Sequence, residues 1–380
     1  MKHILSIVIL LSGVLASFGI EHFVFFGTYT GAKSKGIYVS RFDSASGKIS
    51  EPELAVETKS PNFLAVDPTG RFLYAVGEMT VAPDKRVSSV DAFKVDAKTG
   101  KLSLLNQQAS RGGGPCHVSV DATGKCVMVA NYGSGSIASY PVCADGSLNE
   151  ASTTIQHTGS SVIPGRQSGP HAHVICPSPD NRFALTCDLG LDKVLVYQLD
   201  AAKAKLTPNN PPFYSVAPGS GPRHLAFSQD GKFVYVINEM KLTITVFAYD
   251  TANATMTEVQ TISTLPPGIS ATERDSTAEV ADHPSGKFVY GSNRGHDSIA
   301  VFTVDAKTGK LTLVQNESTQ GKTPRHFAID PSGGWLLAEN QNSDSVVVFA
   351  IDRASGKLKP TGQTITLGSP VCAAFVVKNL

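Results

Sequence analysis

The 380-residue chain has almost no net charge, with 33 Lys plus Arg against 32 Asp plus Glu. Without an excess of one sign, no basic field draws in nucleic acid or an anionic membrane, so a small neutral or singly charged ligand is the better fit. The six cysteines, Cys116, Cys126, Cys143, Cys176, Cys187 and Cys372, contain no CxxC or CxxH pair. That spacing argues against a zinc site, and no other ligand cluster calls for a metal or cofactor. All but Cys143 fall in expected strands, where a buried thiol acts as a small hydrophobe, and an oxidising compartment would allow one bridge. Sustained 3.6-residue periodicity is missing beyond the N-terminus, so almost no helix is expected. The apolar stretch 4–15 is shorter than the roughly 20 residues a membrane span needs. Lys2 and His3 precede it, and Val14-Leu15-Ala16 or Ser17-Phe18-Gly19 offers a peptidase site. Residues 1–19 therefore read as a secretory signal, with export to the periplasm or the extracellular space and no membrane attachment after cleavage.

What is present is a repeat. GIYVSRFD, SSVDAFKVD, GSIASYPV, DKVLVYQLD, LTITVFAYD, DSIAVFTVD and DSVVVFAID place an aromatic (Phe42, Phe93, Tyr140, Tyr197, Phe247, Phe302, Phe349) near every fiftieth position. A period of that size built from short strands marks a propeller. Within each period, one strand meets a Gly-bearing turn and a second returns, as in GPRHLAFS and KFVYVINE. The repeat aromatic lies on the third strand, and in four copies a Thr/Ser-Gly-Lys turn leads to a fourth. Runs such as FVYVIN do not alternate with polar residues, which suits strands covered on both faces.

The strand count shows how the ring closes. HFVFFGTYT at residue 22 is a second-type strand with no first-type strand before it, and SPVCAAFVV near the C-terminus is a first-type strand with nothing after it. The chain is therefore expected to be all-β: a seven-bladed β-propeller of four-stranded antiparallel blades, residues 20–380 as one domain. The C-terminal strand completes the N-terminal blade and leaves no open seam. A monomer is expected.

Antiparallel blades bring the start of the first strand and the end of the second to one rim. Polar residues there converge on one mouth: His117, Asn131, Tyr132, His171, His173, Asp188, Arg223, His224, Asn238, Glu239, Glu279, Asn293, Arg294, Arg325, His326, Glu339, Asn340 and Gln341. The opposite rim offers only Gly-bearing turns, an asymmetry that points to a binding face. Asn and Asp at strand ends also cap backbone groups, and Arg–Glu pairs also tie blades together. Buried charge is costly unless used, however, and three arginines exceed what ring closure requires. Two long connections, 157–173 and 264–279, reach the same mouth as candidate pocket walls.

Four stretches, GRQSGPHAH, GSGPRHLAFSQDGKFVYVINE, STAEVADHPSGKFVYGSNRGHDSIAVF and TPRHFAIDPSGGWLLAENQNSDSVVVF, carry a family resemblance over essentially the whole mature chain. The sequence resembles the seven-bladed β-propeller lactonases, which include 6-phosphogluconolactonase and carboxy-cis,cis-muconate cyclase. That resemblance implies a site of His173, Arg223, Glu239 and Arg294. The rim geometry adds His117, His171, His224, Glu279, Arg325, His326, Glu339 and Gln341 as substrate contacts. Lactone hydrolysis needs a base to activate water and a cation for the developing oxyanion. Glu239 and His173 both qualify as base, and the arginines qualify as clamps for the oxyanion and for a carboxylate or phosphate. The expected activity is metal-independent hydrolysis of a sugar-type lactone, 6-phosphogluconolactone-like or unphosphorylated gluconolactone, with a lactone or sugar acid as partner. Export separates the chain from cytosolic phosphorylated gluconolactone and favours an unphosphorylated substrate. The alternatives are a muconate-type lactonising cyclase or isomerase, and a non-catalytic propeller that presents its mouth to a protein or glycan.

Overall fold

In a computed structural model describing residues 21–82 and 85–377, seven antiparallel sheets are arranged as blades around an axis. Residues 1–19, read as a signal, lie outside the described part. From axis to edge, blade 4 consists of Ala172–Pro177, Phe183–Asp188, Lys193–Asp200 and Lys205–Ser215. Blades 2, 3, 5, 6 and 7 repeat that order, with inner strands Leu64–Val66, Pro115–Val120, Pro222–Phe227, Ser276–Asp282 and Pro324–Ile329. Blade 1 is composite. Pro370–Val377 pairs with Glu21–Thr28 and so supplies the inner strand, as expected, while the outer strand is split into Lys48–Ile49 and Glu53–Glu57. Helix among the described residues amounts to the single 3-10 turns Ala201–Lys203 and Gln341–Ser343.

The packing explains the repeat. Seven apolar clusters form, one at each interface between neighbouring blades, so the core is distributed around the ring. Each repeat aromatic is buried in one of them, with Phe42, Tyr140, Phe302 and Phe349 fully enclosed. Burying such a ring stabilises by about 2–3 kcal/mol, and because both faces of each blade are covered, the strands stay apolar without alternation. Polar clasps fix the angle between blades. The Tyr290 hydroxyl donates to the Gly356 carbonyl of the next blade at 2.7 Å, and Tyr74 does the same to Gly146 at 3.0 Å. Gly356 sits at φ +72° with the Phe288 ring where a Cβ would be, so this turn accepts only glycine. All six cysteines are unpaired.

Candidate active site

At the mouth, the ladder between the first and second strands slips in six blades. In blade 4, Ala172 faces Asp188 and Val174 faces Cys187, which leaves His173 without a cross-strand partner. The same slip releases Cys116 in blade 3, Arg223 in blade 5 and Arg325 in blade 7. A bulge of this kind bends the strand and re-aims one side chain. Here three of the four released residues turn toward the mouth, and Arg223 stays buried beside Glu239. Cys116, His173 and Arg325 line a cavity of about 360 Å³ together with Tyr29, Asn62, Gly114, Pro115, Tyr132, Glu239 and Arg294. The residue after each bulge, His117, His224 or His326, turns down the central channel.

Glu239 organises one wall. Its Oε2 lies 2.9 Å from Arg294 Nη2 and 3.2 Å from Arg223 Nε, and its Oε1 accepts from Arg166 Nη2 at 2.5 Å. Arg223 is 2 % exposed and donates to the Ala278 carbonyl at 2.7 Å, and Arg294 donates to the Thr277 carbonyl at the same distance. Burial opposes ionisation of Glu239, but Arg294, Arg223 and Arg166 hold its carboxyl down at about 2. Burial and the neighbouring Arg325 and Arg294 bring the Arg223 guanidinium down to about 9. Arg325 packs over the Tyr29 ring at 5.6 Å, and among the described residues no carboxylate comes within ion-pair distance of it. Three guanidinium groups thus contact one carboxylate while a fourth, Arg325, lines the same cavity without one, and the excess favours an anionic or strongly polarised ligand.

Burial, with Arg223 and His224 nearby, keeps His173 well below the usual imidazole range, so the ring is neutral. Its Nδ1 lies 3.7 Å from Cys116 Sγ, and its ring meets Tyr132 and His224 edge-on. No described residue bonds its Nε2. Burial pushes the Cys116 thiol up to about 12, so Cys116 is no ready nucleophile.

Five residues expected to touch ligand sit below the cavity instead: His117, His224, Glu279, His326 and Glu339. His117, His224 and His326 converge on Phe63, with ring centroids 4.2, 5.7 and 5.7 Å from it, and close the channel. His224 Nδ1 lies 2.8 Å from Glu279 Oε2, and His326 joins Glu339 at 2.8 Å and Glu279 at 3.6 Å. Burial lowers His224 to about 4, whereas His224 and His326 hold Glu279 at about 2 despite its burial. Two further residues lie to the side. His171 stacks on Tyr132 at 4.5 Å with Nδ1 on the Tyr132 carbonyl, and Gln341 lines a neighbouring depression that meets the cavity at Tyr29. Asn131, Asn238, Asn293 and Asn340 bond loop carbonyls and hydroxyls, which is a capping role. Arg166 and the lining residues Tyr29, Asn62 and Cys116 are site residues that sequence reasoning missed; for Arg166 only its place in the long 157–173 connection marked it.

The family model "Lactonase, 7-bladed beta-propeller" matches residues 23–375. The chain is 36 % identical over 304 residues to the 6-phosphogluconolactonase of Bacillus subtilis, covering 80 % of this chain and 84 % of that one. It is 34 % identical over 317 residues to the 6-phosphogluconolactonase of Formosa agariphila, covering 81 % and 86 %. Among solved structures, the periplasmic gluconolactonase of Pseudomonas aeruginosa superposes with a TM-score of 0.87 at 35 % identity, over 94 % of this chain and all of that one.

Proposed function

The chain belongs to the seven-bladed β-propeller lactonase family, a family of lactone hydrolases, and on that premise we propose that it opens a gluconolactone-type sugar lactone by base-activated water. The observation that carries the mechanism is the pairing, in one cavity, of a neutral His173 with the guanidinium-clamped Glu239. Both oxygens of Glu239 are engaged by guanidinium groups, whereas His173 is neutral with an Nε2 that no described residue bonds, so the base in this reading is His173. As water attacks the lactone carbonyl carbon, the proton passes to His173. The ring C–O bond then breaks and the same proton goes to the leaving alkoxide. Arg294 faces the oxyanion, and its geometry is fixed before substrate arrives because Glu239 holds it. Arg223 and Arg166 act through that carboxylate. Arg325 is free to read a phosphate, a carboxylate or the far hydroxyls of the sugar acid. The guanidinium groups supply the positive charge, so the proposed reaction needs no metal ion. Export, read from residues 1–19, accords with the periplasmic gluconolactonase to which this chain is similar.

The test is a lactone panel, corrected for spontaneous opening, with glucono-1,5-lactone, its 6-phosphate and a cis,cis-muconate. Hydrolysis of one or both gluconolactones, insensitive to EDTA and reduced at least about a hundredfold by His173→Gln, is the expected outcome. Gluconolactones opening only at the spontaneous rate would overturn the reading, and muconate turnover would favour a cyclase. Arg325→Ala is expected to raise KM for the phosphorylated lactone about tenfold more than for the plain one.

A further inference from the structure

Loop 158–170 brings Arg166 to Glu239, where half of the Arg166 side chain is exposed and the Tyr132 side chain is its other polar neighbour. The loop is pinned from beneath by the turn Asp188-Leu189-Gly190-Leu191-Asp192. Asp188, 0 % exposed, holds both ends: its Oδ2 lies 2.7 Å from Nδ1 of His157, where the loop leaves blade 3, and its Oδ1 accepts from the backbone N–H of His171, where the loop returns, at 2.7 Å. The far side of His157 is fixed by Tyr197, whose hydroxyl lies 2.9 Å from Nε2. Between these ends, buried Gln167 donates to the Leu189 carbonyl at 2.9 Å and accepts from Ile163 N–H at 3.1 Å. Ser161 donates to Asp192, whose carboxylate also accepts from Gly219 and Gly221 N–H. A Cβ on Gly190 would run into the Gly169 carbonyl, so turn and loop are in direct contact.

We infer that Asp188 is a positioning residue for the reaction, fixing both ends of the loop that delivers Arg166 to Glu239; the inference rests on the proposed lactonase site. A buried carboxylate that accepts two backbone N–H groups and faces an imidazole loses all three partners at once when truncated. The loss then appears at a residue that Asp188 does not touch.

The experiment is a double-mutant cycle with Arg166, read by gluconolactone kinetics and, without substrate, by hydrogen exchange of peptides covering 158–170. Asp188→Ala is expected to lower kcat about tenfold with KM within about twofold, and to speed exchange of 158–170 but not of the turns at the opposite rim. In the Arg166→Ala background the same change adds less than about twofold, because the pathway it acts through is gone. Asp188→Asn recovers most of the loss, since its amide oxygen still accepts from His171 and Gly190. If Asp188→Ala does not fold, Gly190→Ala disturbs the same contact and is expected to give the same pattern. An equal factor in both backgrounds, or unchanged exchange in 158–170, overturns the inference. Should the protein open no lactone, the exchange result alone decides.

Discussion

The two rims of the propeller are built from the same repeat and spend their polar groups in opposite ways. At the rim that carries the hairpin turns, the capping Asp and Ser side chains close their own turns, and bonds such as Asn181 Nδ2 to Asp121 and Gln229 N–H to Asp282 link one blade to the next. Asp67 accepts from Phe72 N–H at 2.7 Å, Asp121 from Cys126 at 2.7 Å and Asp330 from Trp335 at 2.8 Å, while the Ser178 and Ser228 hydroxyls serve Phe183 and Phe233. The capped N–H is five residues away in every case. At the mouth, the partners lie in neighbouring blades: Arg166 and Arg294 meet Glu239, Arg223 reaches the Ala278 carbonyl, and Glu279 collects His224 and His326. Local caps let each turn form within its own blade, and bonds between blades such as Asn181 to Asp121 and Gln229 to Asp282 join a single carboxylate to an amide. The charged bonds across blades at the mouth make a rim that exists only in the assembled ring and that concentrates charge where no single blade needs it. Where a side chain finds its partner therefore separates the scaffold from the site better than its residue type does.

Glu239→Gln should break the comparison hardest. Removing one partner of a buried ion network leaves three guanidinium groups uncompensated, and kcat/KM is expected to fall on the order of a thousandfold, about 4 kcal/mol. A fall of less than tenfold in the gluconolactone assay would reduce the mouth network to scaffolding like that of the other rim.

Acid should weaken the mouth next. His224 sits at about 4 against an ordinary 6.5, so its neutral form favours the fold, and that contribution is lost as pH falls from 6.5 toward 4. Glu239 and Glu279 sit at about 2 against an ordinary 4.5; their contribution is complete above 4.5 and is lost as pH falls toward 2. His326 is raised by Glu279 and Glu339 despite burial, so its share is complete below 6.5 and is lost as pH rises past its folded value. Urea unfolding followed from pH 7 to pH 3 should show stability falling in both acid windows, with kcat/KM lost before the β signal in circular dichroism. Simultaneous loss would place the charges in the scaffold.

The smallest effect belongs to the far rim. Asp330→Ala removes acceptors for Gly334 and Trp335 N–H and should cost about 1–2 kcal/mol in urea unfolding while leaving kcat/KM within about twofold. A loss of activity there would mean that the rims are coupled through the blade.

Blade count, ring closure and the polar asymmetry of the two rims were legible in the sequence, because aromatic spacing and turn glycines report on backbone period. The facing of individual side chains at the mouth was not. Cys116–His117 and Arg325–His326 are adjacent pairs whose first member lines the cavity while the second packs on Phe63 in the channel, and Arg223, released by the same bulge, is buried beside Glu239. A bulge inserts one residue into the period-two pattern and leaves no mark of its own in the residue types. That is why His117, His224 and His326 were read as ligand contacts and Cys116 was not. Arg166 escaped notice for another reason: its place is set by contacts to Leu189, Asp188 and Asp192 in the next strand turn, and a loop has no periodicity to read.

The seam in blade 1 joins Phe25 to Ala374, 349 positions later. Every other blade is made of neighbours along the chain and gains its ladders as it emerges, but this one waits for its last strand, a loop closure of the longest and slowest kind. Until residues 370–377 arrive, the strand 21–28, apolar from Phe23 to Gly27, stands as an open edge and a template for other chains. A chain cut short of residue 370 is therefore expected to aggregate rather than lose one blade's worth of stability. Pairing of residues 370–377 with residues 21–28 is thus the step that leaves the ring without an open edge.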